Sequence, residues 1–406
     1  MRRNGRILSC RKTIMKSNVF ITLLPLTLAV FISFLTMGMQ LPVLPLHLQQ
    51  NLGMDTLMIG AVIGAQFIAA LLTRAWAGNF ADMRGPKRAV IAGLVVIASS
   101  GFIYLLSLMF IHQPHTSVAI LLLGRVVLAL GESLIATGAL GWGLGLVGSG
   151  NAGKVMAWIG IAIYGAWALG APLGVAVYSG WQFSGIALAI IVIPLLPLLF
   201  ITRTDGVQPT ATARTPFYKV MSAVWQPGLG LALASVGFGM ITAFIALLFA
   251  AKSWGNASLA FTAFGVTFIV ARLFFAHLPD KLGGARVALL CVMIEAFGQL
   301  LIWRADSASV AYLGAALTGF GYSLAFPGFG VEAVRRAPPQ TRSLAMGAYV
   351  AFLDIALGIT SPVAGALAGH FGIASVYLAG AIAVACAALV AIRLLARQPD
   401  PQRVME

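Results

Sequence analysis

The chain has 406 residues, of which 60% are hydrophobic and 9% are charged, and its formal net charge is +15. A soluble globular domain is about 45–50% apolar and roughly 25% charged, so this composition excludes an ordinary water-soluble enzyme. The apolar runs are about 20 residues long and do not alternate, which excludes an outer-membrane barrel and predicts membrane-spanning helices.

Twelve apolar spans are predicted, each long enough to cross a bilayer. In chain order they cover residues 19–41, 57–80, 88–111, 118–143, 154–178, 183–202, 225–250, 258–279, 285–303, 310–334, 343–369 and 373–395. Around them the chain divides into a basic tail, a first bundle, a linker, a second bundle and a final tail, at residues 1–18, 19–202, 203–223, 224–395 and 396–406. The sequence therefore predicts an all-α membrane protein with twelve transmembrane helices.

The 26 Lys and Arg residues are distributed unevenly over the loops. With the N-terminus inside, Lys252 and Arg304 lie outside, and Arg74, Arg125 and Arg272 lie within spans, the first and last of these near the inner ends, where they can reach the interface. All other Lys and Arg residues lie in inside segments. The positive-inside rule then places both termini in the cytoplasm, and the basic balance reflects topology, so that no nucleic-acid partner is predicted.

The chain contains an internal repeat. Four residues around the second span recur 198 positions later: Arg74, Asp82, Gly85 and Arg88 match Arg272, Asp280, Gly283 and Arg286. Further on, Met156 and Pro172 match Met346 and Pro362 at an offset of 190. Two parallel six-helix halves follow from this, an architecture of secondary transporters that bind their substrate between the halves.

The repeated residues carry a family resemblance. The pattern Gly78-xxx-Asp82-x-x-Gly85-x-Lys87-Arg88 resembles the loop-2/3 signature of the major facilitator superfamily, and the copy at Asp280 resembles its degenerate partner. Three further segments are similar to a bacterial inner-membrane group often labelled sugar-efflux-like or drug-efflux-like: Gly131-Glu132-Ser133, Trp142-Gly-Leu-Gly and Phe352-Leu-Asp354-Ile-Ala-Leu-Gly358. The resemblance implies two pseudo-symmetric six-helix bundles in the inner membrane. We expect a functional monomer surrounded by membrane lipids.

The resemblance also implies a gate. In this superfamily an Asp at the position of Asp82 holds the inner gate closed by meeting the N-terminus of the eleventh helix, which offers a partial positive charge and unpaired N–H groups. By pseudo-symmetry, Asp280 faces the start of the fifth helix near Asn151 and Gly153. The predicted gating residues are Asp82, Gly78, Gly85, Arg88, Asp280, Gly283 and Arg286.

Charged residues inside the spans are candidates for function, because each costs about 2.5–3.5 kcal/mol at the bilayer centre on insertion scales. Arg125 and Glu132 are seven residues apart and share one face of the fourth helix, and Asp354 lies in the middle of the eleventh. Burial favours a neutral acid and a nearby cation favours the carboxylate, so alternation between these environments can load and release a proton. We predict that Glu132 and Asp354 exchange protons, with Arg125 as the counter-charge.

Structural interpretations of these groups stay open. Arg125 and Glu132 would also fit a fixed ion pair that holds helices together, and Asp354 would fit a carboxylate bonded to a neighbouring helix. Glu295, in the middle of the ninth helix, is a weaker candidate because the resemblance implies that this helix is peripheral. The superfamily's cavity-lining helices contain polar and aromatic residues that are candidate substrate contacts: Gln40, Gln66, Tyr164, Trp167, Phe238, Tyr322 and Phe352.

No motif for ATP hydrolysis is convincing. Gly148–Lys154 fits the start of a phosphate-binding loop, but Val155 follows where Mg²⁺ coordination needs Ser or Thr, and no strand precedes it. We find no nucleophile or metal cluster of an enzyme, and we predict neither enzymatic activity, nor a cofactor, nor a metal. Coupling to an ion gradient is therefore expected.

We predict a secondary active transporter that moves a small organic solute across the inner membrane by alternating access. Proton-coupled efflux by antiport is the first interpretation. Gly170, Pro172 and Gly174 in the fifth span resemble a pattern of antiporter branches, although Ala171 and Val175 depart from it. The alternative is a proton-coupled symporter that imports a sugar or metabolite.

Overall fold

The computed structural model describes residues 19–148, 151–208, 217–336 and 342–396. These ranges are almost entirely helical and contain no strand. The prediction of an all-α membrane protein is confirmed.

The first four helices are α1 (Val19–Leu46), α2 (Thr56–Arg84), α3 (Pro86–Met109) and α4 (Pro114–Val147). α1 continues into a π-helical turn, His47–Asn51. The side chain of Asp55 caps the start of α2 by accepting the N–H of Met58 at 2.7 Å. Gly85 ends α2 with a φ of 96°, which glycine adopts without strain, and Pro86 takes the first position of α3.

The next helical run, Ala152–Val192, is interrupted at Gln182, whose φ of 51° and ψ of −155° are not helical. We call its two arms α5 (152–181) and α6 (183–192). The apolar stretch Lys154–Ile201 has 48 residues, or about 72 Å as one straight helix, more than twice the hydrocarbon thickness of a bilayer. Because it crosses twice, the 11 apolar segments found in the described ranges give the twelve predicted crossings.

The second half contains α7 (Phe217–Ala251), α8 (Ser258–Phe275), α9 (Gly284–Trp303), α10 (Ala308–Arg336), α11 (Arg342–Phe371) and α12 (Ser375–Ala396). A short helix, Leu278–Leu282, precedes α9, and Gly283 ends it with a φ of 92°. The two copies of the repeated motif therefore make the same backbone turn. α7 begins at Phe217, inside the predicted linker 203–223, because the helix continues beyond the apolar length that a bilayer requires.

The two halves pack by the same pattern. In the first half α1 packs on α5, α2 on α4, and α3 on α4 and α6. In the second half α7 packs on α11, α8 on α10, and α9 on α10 and α12. Every pair has its counterpart six helices later, which is the arrangement of two pseudo-symmetric six-helix bundles.

The bundles meet along a seam where α2 packs on α11, α5 on α8 and α1 on α7. We call the end of the molecule that carries Gly85 and Gly283 the motif end, and the opposite end the far end. α2 and α8 both begin at the far end, so contacts early in these helices join the bundles on that side.

Hydrogen bonds and close backbone approach hold the seam together toward the far end. Thr56 Oγ1 donates to the carbonyl of Gly365 at 2.8 Å, and Thr262 Oγ1 donates to the carbonyl of Ala168 at 2.9 Å. A Cβ atom added at Gly64 of α2 would lie 2.7 Å from a carbonyl oxygen of α11, so only glycine allows this approach. The far side of the molecule is therefore closed along both α2–α11 and α5–α8.

Candidate functional site

A small cavity, lined mostly by residues of the first bundle, lies where the two bundles meet. Four of the predicted substrate and coupling residues line it, namely Gln40 of α1, Gln66 of α2, Arg125 of α4 and Trp167 of α5. Thr242 of α7 contributes from the second bundle, and the remaining wall consists of apolar side chains of α1 and α2. These four residues, which are far apart in the sequence, thus line the same cavity in the folded protein.

Two amides position the charged groups of α4. Gln66 Nε2 donates to Glu132 Oε2 at 2.8 Å. Arg125 Nη1 donates to Gln40 Oε1 at 3.3 Å, and Tyr104 Oη donates to the same oxygen at 3.1 Å. The carboxylate and the guanidinium of α4 are thus each held by a neutral partner from a neighbouring helix.

The predicted counter-charge relation of Arg125 and Glu132 takes a different form in the structure. Seven residues on a helix span about 10 Å, and among the described residues no carboxylate oxygen lies within 4 Å of Arg125. Arg74 and Arg125 both interact electrostatically with Glu132 at longer range. Arg125 is therefore one of two cations around Glu132 rather than its direct partner.

Asp354 forms an ion pair across the seam. Arg74 of α2 approaches Asp354 Oδ2 with Nη2 at 2.7 Å and donates to it from Nε at 2.8 Å. The Asp354 side chain is 6% exposed and that of Arg74 is 25% exposed. This role of Arg74 differs from the one its position near the end of the span predicts, which is to reach the membrane interface. The signal that could have found it is the repeat, which matches Arg74 to another intramembrane arginine, Arg272.

Four predicted aromatic residues form one cluster at the centre of the molecule. Trp167 and Tyr322 both stack on Phe238, with ring centroids at 5.3 and 5.5 Å. Tyr164 stacks on Phe268 at 3.8 Å. The cluster joins α5 to α7, α8 and α10, and so it fills the seam beside the cavity. Phe352, the remaining predicted contact, is not part of this cluster.

Phe352 packs at a different place. A Cβ atom at Gly228 of α7 would lie 2.6 Å from Cε2 of the Phe352 ring, so the ring lies directly on the backbone of that helix. Phe352 precedes Asp354 by two residues on α11. The ring packs within the second bundle and is not among the residues that line the cavity. The role predicted for Phe352 as a substrate contact stays a prediction.

Arg272 has surroundings unlike those of its repeat counterpart Arg74. It donates from Nη2 to the carbonyl of Ser323 at 2.9 Å, and its guanidinium carbon lies 4.8 Å from the ring centroid of Phe268. The repeat matches Asp354 to Tyr164. The α2–α11 side of the seam therefore has an ion pair where the α5–α8 side has a cation among aromatic rings.

Glu295 lies in the interior of the second bundle and is fully buried. Neither of its carboxyl oxygens has a hydrogen-bond partner among the described residues. A Cβ atom at Gly237 of α7 would lie 2.6 Å from Glu295 Oε1, so the carboxyl group packs against the backbone of that helix. No group of three or more His, Cys, Asp or Glu residues in the described ranges is arranged to hold a metal ion.

A family profile of the Major Facilitator Superfamily matches residues 26–250 and 228–404. The chain belongs to the Major Facilitator Superfamily. An uncharacterized MFS-type transporter of Salmonella typhimurium is 46% identical over 383 residues, which are 93% of this chain and 97% of the relative. One of Burkholderia mallei is 42% identical over 368 residues, which are 91% of this chain and 90% of the relative. The predicted family is confirmed.

Solved structures of transporters share the superfamily fold with this chain. A nucleoside transporter superposes with a TM-score of 0.72 at 17% identity, covering 92% of this chain and 99% of the other. A D-xylose-proton symporter has a TM-score of 0.72 at 16% identity, covering 91% and 97%. At these identities the likeness is one of fold. The protein is a multi-pass membrane transporter of the superfamily.

The signature loops of this superfamily member are described in part. Gly85 and Gly283 adopt the positive φ that their turns require, Gly78 packs near Thr137 of α4, and Arg88 is exposed. Arg286 is exposed as well. The predicted partner of Asp82, the start of the eleventh helix, adjoins residues 337–341, which lie outside the described residues. The predicted approach of Asp280 to the start of the fifth helix involves side chains that also lie outside the described part of the chain.

Proposed function

We propose that this transporter couples solute movement to protons, and that Asp354, Glu132 and Arg74 are the coupling groups. The supporting observation is the Arg74–Asp354 ion pair, which joins the second bundle to the first. Glu132 of the first bundle interacts electrostatically with the same arginine and with Asp354. One cation therefore faces two carboxylates, one from each bundle, at the seam that alternating access must open and close.

Protonation of Asp354 is the step that connects the proton to this motion. A proton on Oδ2 removes the negative charge, and Arg74 is then attracted to Glu132 within its own bundle. Since a buried ion pair resists separation in a medium of low dielectric, loss of the pair lowers the free energy needed to move α2 away from α11. Proton loading thus favours rearrangement of the seam, and deprotonation restores the pair.

Two further proposals concern orientation and surroundings. The uneven distribution of Lys and Arg supports a cytoplasmic motif end, with both termini in the cytoplasm of a bacterial cell and the chain in the inner membrane. The far end then faces the outside of the cell, and because the seam is closed there, the structure corresponds to a transporter closed toward the outside. Exposed apolar side chains such as Leu72 and Leu199 are suited to contact lipids, and one chain supplies the complete cavity, which supports a functional monomer.

Export of the solute in exchange for protons is our first proposal for the sense of coupling. Its support is the fifth helix, where Gly170 and Gly174 of the antiporter-like pattern pack against the backbone of α1. A Cβ atom at Gly170 would lie 2.6 Å from the carbonyl oxygen of Leu35, so the pattern serves close packing between two cavity-lining helices.

Cotransport of solute and proton is the second candidate, and one observation favours it. Arg125 lines the cavity without a carboxylate partner, and protonation of Glu132 increases the positive potential around it. A solute attracted by that potential binds together with the proton instead of replacing it.

Proton flux in proteoliposomes tests the coupling proposal. A panel of nucleosides, pentoses, amino acids and organic acids is added under an imposed pH gradient, and internal pH is followed with a trapped dye. We expect one class of solute to move protons, and Asp354→Asn to abolish that movement while solute-for-solute exchange persists. Asp306→Asn, which removes an exposed carboxylate from the loop before α10, is the matched control.

The sign of the proton flux separates export by exchange from cotransport. If Asp354→Asn carries protons as fast as the wild type, the coupling proposal is wrong. The gating proposal is tested separately with Asp82→Asn, which we expect to reduce transport sharply with normal membrane insertion. Wild-type transport by that variant would remove Asp82 from the gate.

A further inference from the structure

Arg125 has a buried guanidinium group on the wall of the central cavity. The residue is 6% exposed, and its Nε has no hydrogen-bond partner among the described residues. Its bond from Nη1 to Gln40 is long, at 3.3 Å, and Gln40 is neutral. From this geometry we infer that the transported solute is an organic anion whose carboxylate binds Arg125. The inference rests on the proposed transport function and names its substrate class.

The other charges at the seam are already engaged by closer partners. Asp354 is bonded to Arg74, and Glu132 accepts a hydrogen bond from Gln66. Arg125 is left as a buried cation without an anion within 4 Å in the described residues, an arrangement that is costly unless something compensates it. A guanidinium presents adjacent N–H groups that match the two oxygens of a carboxylate. A bound carboxylate would satisfy the Nε position and supply the missing charge.

The rest of the cavity defines the remainder of the solute. Apolar side chains of α1 and α2, including Leu41, Ile63 and Phe67, form most of the wall, and Trp167 adds an aromatic face. Thr242 provides a hydroxyl from the second bundle. A small carboxylic acid with one apolar or aromatic part fits these surroundings, since its charge meets Arg125 and its body meets the apolar wall. A strongly polar sugar or an organic cation does not.

Binding of three matched probes to the purified transporter tests the substrate class. Phenylacetate, phenylacetamide and 2-phenylethylamine share a body and differ in charge, and isothermal titration calorimetry measures their affinities. We expect phenylacetate to bind more tightly than the other two. Arg125→Gln should weaken phenylacetate binding by about 10- to 100-fold, the range for loss of a charged hydrogen bond, and should leave phenylacetamide unchanged.

Three further variants separate the effect of charge from an effect on folding. Arg125→Lys keeps the charge without the paired donors and should bind phenylacetate with intermediate affinity. Glu132→Gln removes a competing negative charge and should tighten binding. Arg304→Gln, at an exposed position after α9, should match the wild type. Equal affinities for the three probes, no binding of phenylacetate at millimolar concentration, or no effect of Arg125→Gln would each overturn the inference.

The same reagents distinguish failure of the inference from failure of the proposed function. Phenylacetate that binds through Arg125 but is not carried across proteoliposomes would contradict the proposed transport and leave the anion site standing. Proton-coupled transport of a neutral or cationic solute that is insensitive to Arg125→Gln would leave the transport standing and refute the anion site.

Discussion

The Arg74–Asp354 pair gives a prediction about stability as well as transport. Removing one partner of a buried ion pair leaves an uncompensated charge and costs about 3–5 kcal/mol, whereas replacing both partners by neutral groups costs much less. The side chain of Arg74 is a quarter exposed, so solvent reduces this cost. We therefore expect each single substitution to lower the free energy of unfolding by about 3 kcal/mol. The double variant Arg74→Gln/Asp354→Asn can hydrogen-bond amide to amide and should lose only about 1 kcal/mol.

The two single variants should differ in their response to pH. Arg74→Gln strands a carboxylate, which can take up a proton and become neutral, so its loss of stability should shrink as the pH falls. Asp354→Asn leaves a guanidinium without its carboxylate, and because the guanidinium stays protonated, the stability of this variant itself should not change with pH through this site. The fraction of each variant that remains monodisperse after heating in detergent, at about pH 5 and about pH 8, measures both effects. Additive losses in the double variant, or the same pH response in both singles, would refute this reasoning.

Three further substitutions follow from the packing. Gly64→Ala places a methyl group 2.7 Å from the carbonyl oxygen of Gly358 and should destabilise the closed far end by about 1–3 kcal/mol in the same heating assay. Gly347→Ala on α11 is the control, because its methyl group meets nothing within 4 Å and should leave the stability unchanged. Gly85→Ala forces a φ of 96° on an alanine and should lower the stability of the protein by about 1–2 kcal/mol. The measurement is the yield of monodisperse protein, which should fall. A yield equal to that of the wild type would show that the turn relaxes. Glu295→Gln keeps the shape of a group that has no hydrogen-bond partner among the described residues, so folding and proton flux should match the wild type. Loss of flux would assign Glu295 to the proton path.

The helices and their pseudo-symmetry could be predicted from the sequence because the bilayer dictates them. A crossing needs a run of about 20 apolar residues, and that length is visible without any tertiary information. The repeat around Gly85 and Gly283 also carried over to the structure, since both turns need a residue that tolerates positive φ. The interruption at Gln182 was anticipated only as the gap between two apolar spans; its backbone conformation depends on the packing of the two arms.

The sequence predicted several residues of the candidate site, but it did not predict which of them contact each other. Helical periodicity places Arg125 and Glu132 on one face, but it does not show that Gln66 and Gln40 come from other helices to bond them. The pairing of Arg74 with Asp354 joins residues 280 positions apart, and no local pattern encodes it. Contacts of this kind follow from how the two bundles dock, which the composition of either helix leaves open.

The difference between the two sides of the seam has a consequence for energetics. Among the described residues one ionic contact joins the bundles, and the proposed coupling breaks it once per transport cycle, whereas the matching position on the opposite side, Tyr164 beside Arg272, carries no carboxylate. Under the proposed coupling, Asp354 therefore accounts for one hydrogen ion per transport cycle at the seam. One ion per molecule carried limits the concentration ratio that a pH difference can sustain to about tenfold per unit. Installing an aspartate in place of Tyr164 would be the natural route to a steeper gradient.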